Sequence, residues 1–177
     1  MKKIILLAAL VASFSCKNRE EQTSKEEPVA KVEVKKPEKF IVEANFKLDK
    51  GDNFRLFANG VFINNTRTMN INITEQVSSS ENGQTLVFDL PEGVRPDYEV
   101  GVNLGSKEIK KIEFLQIKIS YGNIEFIVTP DKIGEYFYFS QNIDYNPESG
   151  TIQTKKVDGK HNPIMYFKPH IIKEINE

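Results

Sequence analysis

Residues 40–48 read Phe40-Ile41-Val42-Glu43-Ala44-Asn45-Phe46-Lys47-Leu48. Phe40, Val42, Ala44, Phe46 and Leu48 alternate with Glu43, Asn45 and Lys47. Successive side chains of an extended chain point to opposite faces, so this period of two predicts a half-buried strand. The same period returns along most of the chain beyond it. Nowhere does a stripe of 3.6-residue period run longer than two turns. The pattern predicts an all-β fold.

Moving outward, residues 49–53 (Asp-Lys-Gly-Asp-Asn) read as a turn. Residues 54–58 lead into Asn59-Gly60, a strong hairpin signal, with residues 61–63 expected to return. Met69, Ile71 and Ile73 mark another strand, and residues 78–83 read as a polar loop. Leu86, Phe88 and Leu90 alternate before Pro91, and Tyr98, Val100, Val102 and Leu104 do so after Pro96. Residues 113–121 predict a long strand with Leu115, Ile117, Ile119 and Tyr121 on one face. Ile112 and Phe114 fall in the opposite phase, which predicts a bulge or burial on both sides. Gly122-Asn123 then predicts a tight hairpin into Ile124, Phe126 and Val128, stopped by Pro130. Residues 135–139 fit a strand or a short helical turn, and residues 151–156 and 164–168 read as final strands. Strands at this spacing predict an antiparallel β-sandwich over residues 40–177. About 138 residues suffice for such a core without disulfides.

Upstream, the composition changes. Residues 17–39 hold seven basic residues, six acidic residues and two prolines, with no aromatic residue. Such a segment buries too little apolar surface to offset its ordering entropy, so a disordered tether is expected. As a coil it reaches roughly 25 Å, and fully extended at most about 75 Å. Before it, Lys2 and Lys3 precede nine apolar residues, Ile4 to Ala12. That run is short of the roughly 20 residues of a membrane-spanning helix and fits the apolar region of a signal peptide, expected over residues 1–15. Ser13-Phe14-Ser15-Cys16 follows, and Cys16 is the sole cysteine.

This stretch resembles the lipobox of bacterial lipoproteins, with Ser13 where that pattern commonly has Leu. The resemblance implies cleavage before Cys16 and acylation of its sulfur, and hence a membrane partner. Each buried methylene contributes about 0.8 kcal/mol, so several acyl chains hold firmly. Lys17 stands where the family's inner-membrane retention signal has Asp, which implies an outer-membrane destination on either face.

Composition narrows the chemistry. A net charge of -1, with 28% charged residues interleaved in sign, lacks the cationic surplus that nucleic acid demands. One cysteine forms no intrachain disulfide and, once acylated, provides no nucleophile. No Gly-x-Ser-x-Gly, Gly-x-Gly-x-x-Gly or Walker loop occurs, and His161 and His170 are the only histidines. Residues 144–150 place oxygen-bearing side chains at alternate positions, but their glycine comes one residue late for a calcium loop and a turn is expected. The expectation is therefore a non-catalytic lipoprotein of the envelope, without cofactor or metal, whose sandwich binds or scaffolds a glycan or an envelope protein. Carboxylate pairs for glycoside hydrolysis depend on their separation in space and stay open at this point.

The alternative expectation is a carbohydrate-binding module, since Tyr rings pack against sugar faces and Asn, Asp and Arg hydrogen-bond their hydroxyls. Two loop tips are expected to present such groups: Arg95, Asp97 and Tyr98 on one, Tyr145 on the other. The stretch YEVGVNLGSKEIKKIEFLQIKISYGN also resembles jelly-roll sandwiches of envelope-glycan proteins in its order of strand, glycine turn and long strand.

Overall fold

The computed structural model describes residues 38–63, 66–68 and 70–177. The signal peptide, Cys16, Met69 and nearly all of the tether lie outside the described residues. In chain order the strands are β1 (Phe40–Leu48), β2 (Asp52–Ile63), β3 (Thr66–Thr68), β4 (Ile71–Val77), β5 (Ser80–Asp89), β6 (Val94–Asn103), β7 (Lys111–Tyr121) and β8 (Ile124–Val128). A 3-10 turn (Pro130–Lys132) and the single-turn helix α1 (Ile133–Tyr136) lead to β9 (Phe137–Phe139). Then come β10 (Ile143–Asn146), β11 (Thr151–Thr154), β12 (Ile164–Phe167) and the helix α2 (Pro169–Asn176).

Two sheets result, in the orders β10-β11-β7-β1-β5, with β8 also on β7, and β3-β2-β6-β12-β9, with β4 also on β2. Every pairing among the described strands is antiparallel. The fold is an antiparallel β-sandwich. β1 anchors it as read from its sequence: Phe40, Val42, Ala44, Phe46 and Leu48 are all buried. Phe46 reaches across to Phe54 of the second sheet, with ring centroids 5.7 Å apart and planes 19° apart, and tilts against Phe114. Phe167 packs between Phe40 and Phe137 nearer the other end. The expected bulge in β7 is present: Asn45 pairs with Gln116 but Phe46 with Phe114, so the intervening Leu115 leaves the core phase. Gly122-Asn123 makes the expected two-residue hairpin, with Tyr121 opposite Ile124.

Three expectations are corrected. Asn59-Gly60 is not a hairpin, because β2 runs through it to Ile63 and stays paired with β6. Gly60 instead adopts φ 74° at a register shift, where Asp97 and Tyr98 together oppose it. The ladder on either side outweighs the local turn preference, and the reversal falls between Ile63 and Thr66. Residues 80–83 are not loop but the start of β5, and only Ser78 and Ser79 lie between β4 and β5. Both expected loop tips are strand: Arg95, Asp97 and Tyr98 lie on β6, and Tyr145 lies on β10. Beyond the strands read from the sequence, residues 169–176 form α2, whose Ile171, Ile172 and Ile175 are buried in the core. An eight-residue helix is two turns long, too short for its period to stand out against strands.

The connection from β6 to β7 is fixed by a buried ion pair that periodicity does not reveal. Lys110 is fully buried, and its Nζ donates to Asp52 Oδ2 and to the carbonyls of Leu104 and Gly105, both at 3.1 Å. Asp52 also accepts the backbone N–H of Asn53 at 2.7 Å and of Lys107 at 3.0 Å. Burial pushes the Asp52 carboxyl upward, but the Lys110 ammonium and these backbone donors outweigh it and hold the group below its ordinary value.

Candidate functional site: the outer face of the second sheet

The two outer faces differ: the first sheet mixes ion pairs with the exposed Val87, Leu115 and Ile127, and the second carries a row of rings. On the first sheet, outward side chains form ion pairs: Lys47 with Glu113 at 2.8 Å, Lys118 with Glu125 at 2.7 Å, and Lys39 with Asp89. These are exposed pairs on a solvated surface, each worth little.

The second sheet carries aromatic rings outward. Its register places Phe57 opposite Gly101, Gly101 opposite Tyr166, and Tyr166 opposite Tyr138, so these residues form one line across β2, β6, β12 and β9. Gly101 makes the line possible, since a Cβ there would lie 2.4 Å from Phe57 Cζ. Phe57 is only 7% exposed, yet it stands apart from the inter-sheet core and meets Tyr166 edge-on, with centroids 5.9 Å apart. Tyr166 is half-buried, and burial followed by the nearby Glu99 carboxylate pushes its phenol upward. Tyr138 is 56% exposed, and Lys168 Nζ sits 5.0 Å from its ring centroid while donating to Gly134 O at 2.6 Å. Beside the rings, Asn59 Nδ2 donates to Glu99 Oε1 at 2.7 Å and Asn103 Nδ2 to Asn162 Oδ1 at 2.6 Å.

The residues read from the sequence lie elsewhere. Arg95 stands with its guanidinium 5.2 Å from the Phe62 ring, and its Nε is buried without a hydrogen-bond partner. Arg95 also lines a cleft of about 270 Å³ with Glu38, Tyr121 and Asn176. Asp97 is half-buried, and Tyr98, beside it in the bulge, is 72% exposed. Tyr145 belongs to the first sheet: its hydroxyl donates to Pro130 O at 2.7 Å and its ring packs 4.9 Å from Phe139. Burial pushes its phenol upward. The structure thus gathers Arg95, Asp97 and Tyr98 on one strand and leaves Tyr145 apart, held by its own contacts.

Sequence reading missed Phe57, Tyr138 and Tyr166. The available signal was an apolar Phe57 out of phase with Phe54, Leu56 and Ala58, and an internal Gly101 that needs a reason to be in a strand.

The other cavities offer less. A void of about 20 Å³ at the core centre is lined wholly by apolar groups such as Val42, Ala44 and Phe137, too small and too dry for a ligand. Among the described residues, no group of three or more His, Cys, Asp or Glu is placed to hold a metal ion, and no helix is long and apolar enough to cross a membrane. No family model, curated protein or solved structure matches this chain.

Proposed function

We propose that the protein is a bacterial envelope lipoprotein, acylated at Cys16, whose β-sandwich is a non-catalytic binding or scaffolding domain. The anchor is supported by the sequence: a basic pair, nine apolar residues and the sole cysteine in lipobox position. The binding role is supported by one observation above all, the braced line of Phe57, Tyr166 and Tyr138 across the second sheet, whereas the exposed Val87, Leu115 and Ile127 of the first sheet stand among ion pairs and form no row of rings. Exposed apolar groups gathered on one face of a soluble domain mark an interaction surface. Lys17 after the cysteine favours the outer membrane. A second reading, a carbohydrate-binding module, is favoured by the same rings and their amide neighbours.

Fractionation of envelopes tests the anchor. The intact chain is expected in the membrane fraction and Cys16→Ala in the soluble fraction. Membrane retention of the cysteine-free variant removes the lipid as the mooring.

A further inference from the structure

We infer that the outer face of the second sheet is a platform for an uncharged oligosaccharide, laid across the strands over Tyr166 and Tyr138. This rests on the binding-domain reading above and names its ligand class.

The C–H face of a sugar ring packs against an aromatic face, and little affinity is lost when that ring is already immobile. Tyr166 meets the requirement: Phe57 braces it from the side, and Gly101, lacking a Cβ, lets the Phe57 ring lie across β6 to reach it. Tyr138 is its direct cross-strand neighbour and the most exposed ring of the row. Strands lie about 4.8 Å apart, so the row from β2 to β9 is about 14 Å long, a track rather than a point.

The polar groups beside the track suit hydroxyls. Glu99 and Asn59 hold each other at 2.7 Å, which fixes a carboxylate and an amide beside Tyr166. Asn72 continues the line at the β4 edge, opposite Phe57, and is exposed.

Charge decides between occupants. Glu99 is engaged by Asn59, and Lys168 is engaged by the Gly134 carbonyl and the Tyr138 ring. Arg55 stands one row away, opposite Asn103. Among the described residues no cluster of one sign is present on this face, so it complements a neutral ligand rather than a polyanion. An added peptide strand would not cover the rings: β2, β6 and β12 are already paired on both sides, and the one open edge here, that of β9, lies beyond Tyr138 at the end of the row.

The test is affinity electrophoresis of the full-length chain in detergent, through gels containing a β-glucan, an α-glucan, a xylan, a galactomannan or, as charged probes, polygalacturonate and heparin. Retardation by at least one neutral polymer is expected, weakened about tenfold by Tyr166→Ala and by Tyr138→Ala. Tyr166→Phe is expected to bind, since the ring remains, and Tyr98→Ala to match the wild type. Near-UV circular dichroism checks each fold. Should Tyr166→Ala fail to fold, Tyr138→Ala decides, because that ring lies outside the core. Retardation by no neutral polymer, retardation by the charged polymers alone, or neutral binding indifferent to both alanine variants overturns the platform. Loss of binding in Tyr98→Ala with retention in Tyr138→Ala overturns it too. If the gels fail while membrane association still depends on Cys16, the platform falls and the anchored reading stands.

Discussion

Replacing Lys110 by Met strands the Asp52 carboxylate in the interior with two backbone donors and no counter-charge. Breaking a buried pair from one side costs about 3–5 kcal/mol. Urea unfolding of Lys110→Met is expected to show a loss of that size, and a loss under about 1 kcal/mol would mean that water reaches the pair. The pair also sets a pH dependence. The carboxyl of Asp52 titrates below 3.8 in the folded chain, so the unfolded chain binds the extra proton in acid. Its contribution is therefore complete above about pH 4 and drains away as pH falls through the lower, folded value. Glu113, lowered by its hydrogen bond to Lys47, and Asp131, lowered by one to Thr129, titrate in the same direction. The informative quantity is thus the difference between proteins: from pH 5 to pH 3, Asp52→Asn is expected to lose less stability than the wild type. Equal slopes would remove Asp52 from the acid response.

At the scale of the element, two glycines carry different constraints. Gly60 sits at φ 74° opposite the β6 bulge, where a Cβ costs roughly 1–2 kcal/mol. Gly101 has no such backbone demand, but its Cβ would lie 2.4 Å from Phe57 Cζ, an overpacking worth about 1–3 kcal/mol. Both alanine variants are expected to melt lower, and only Gly101→Ala is expected to disturb the tyrosine near-UV signal, because it displaces the ring that braces Tyr166. These positions also mark where sequence reading stopped. Asn59-Gly60 has the composition of a tight turn, yet residues 61–63 pair with β3 on one side and β6 on the other, and two ladders outweigh one dipeptide. Pro96 suggested a break, but it falls where the register shifts, next to the bulge in which a strand tolerates proline. The tips around Tyr98 and Tyr145 looked like loops for the same reason. Their strands are short or bulged: β6 is defined by pairing with β2 and β12, far away in sequence, and the four-residue β10 by the neighbouring β11 alone.

Across the whole molecule, what was legible is what one face of a strand records about burial. The alternation in residues 40–48 named the core side of β1 residue by residue, and the phase change near Phe114 announced the β7 bulge. The aromatic row was not legible, because Phe57, Tyr166 and Tyr138 are 109 residues apart at their extremes of number and become neighbours only through register. The same division between core and surface sets the last expectation. Exposed ion pairs such as Lys47 with Glu113 and Lys50 with Glu108 at 3.5 Å are screened within about 10 Å at 0.1 M salt and contribute little each. The Phe46 ring joins the two sheets through Phe54, and deleting such a ring costs about 3–5 kcal/mol. Raising sodium chloride from about 0.05 M to about 1 M is therefore expected to change unfolding free energy far less than Phe46→Ala does. The penalty in Lys110→Met should persist at high salt, since Lys110 and Asp52 are shielded from solvent ions. A salt effect as large as the Phe46→Ala loss would locate the stability on the charged outer faces, and the sandwich core would no longer explain why this chain folds.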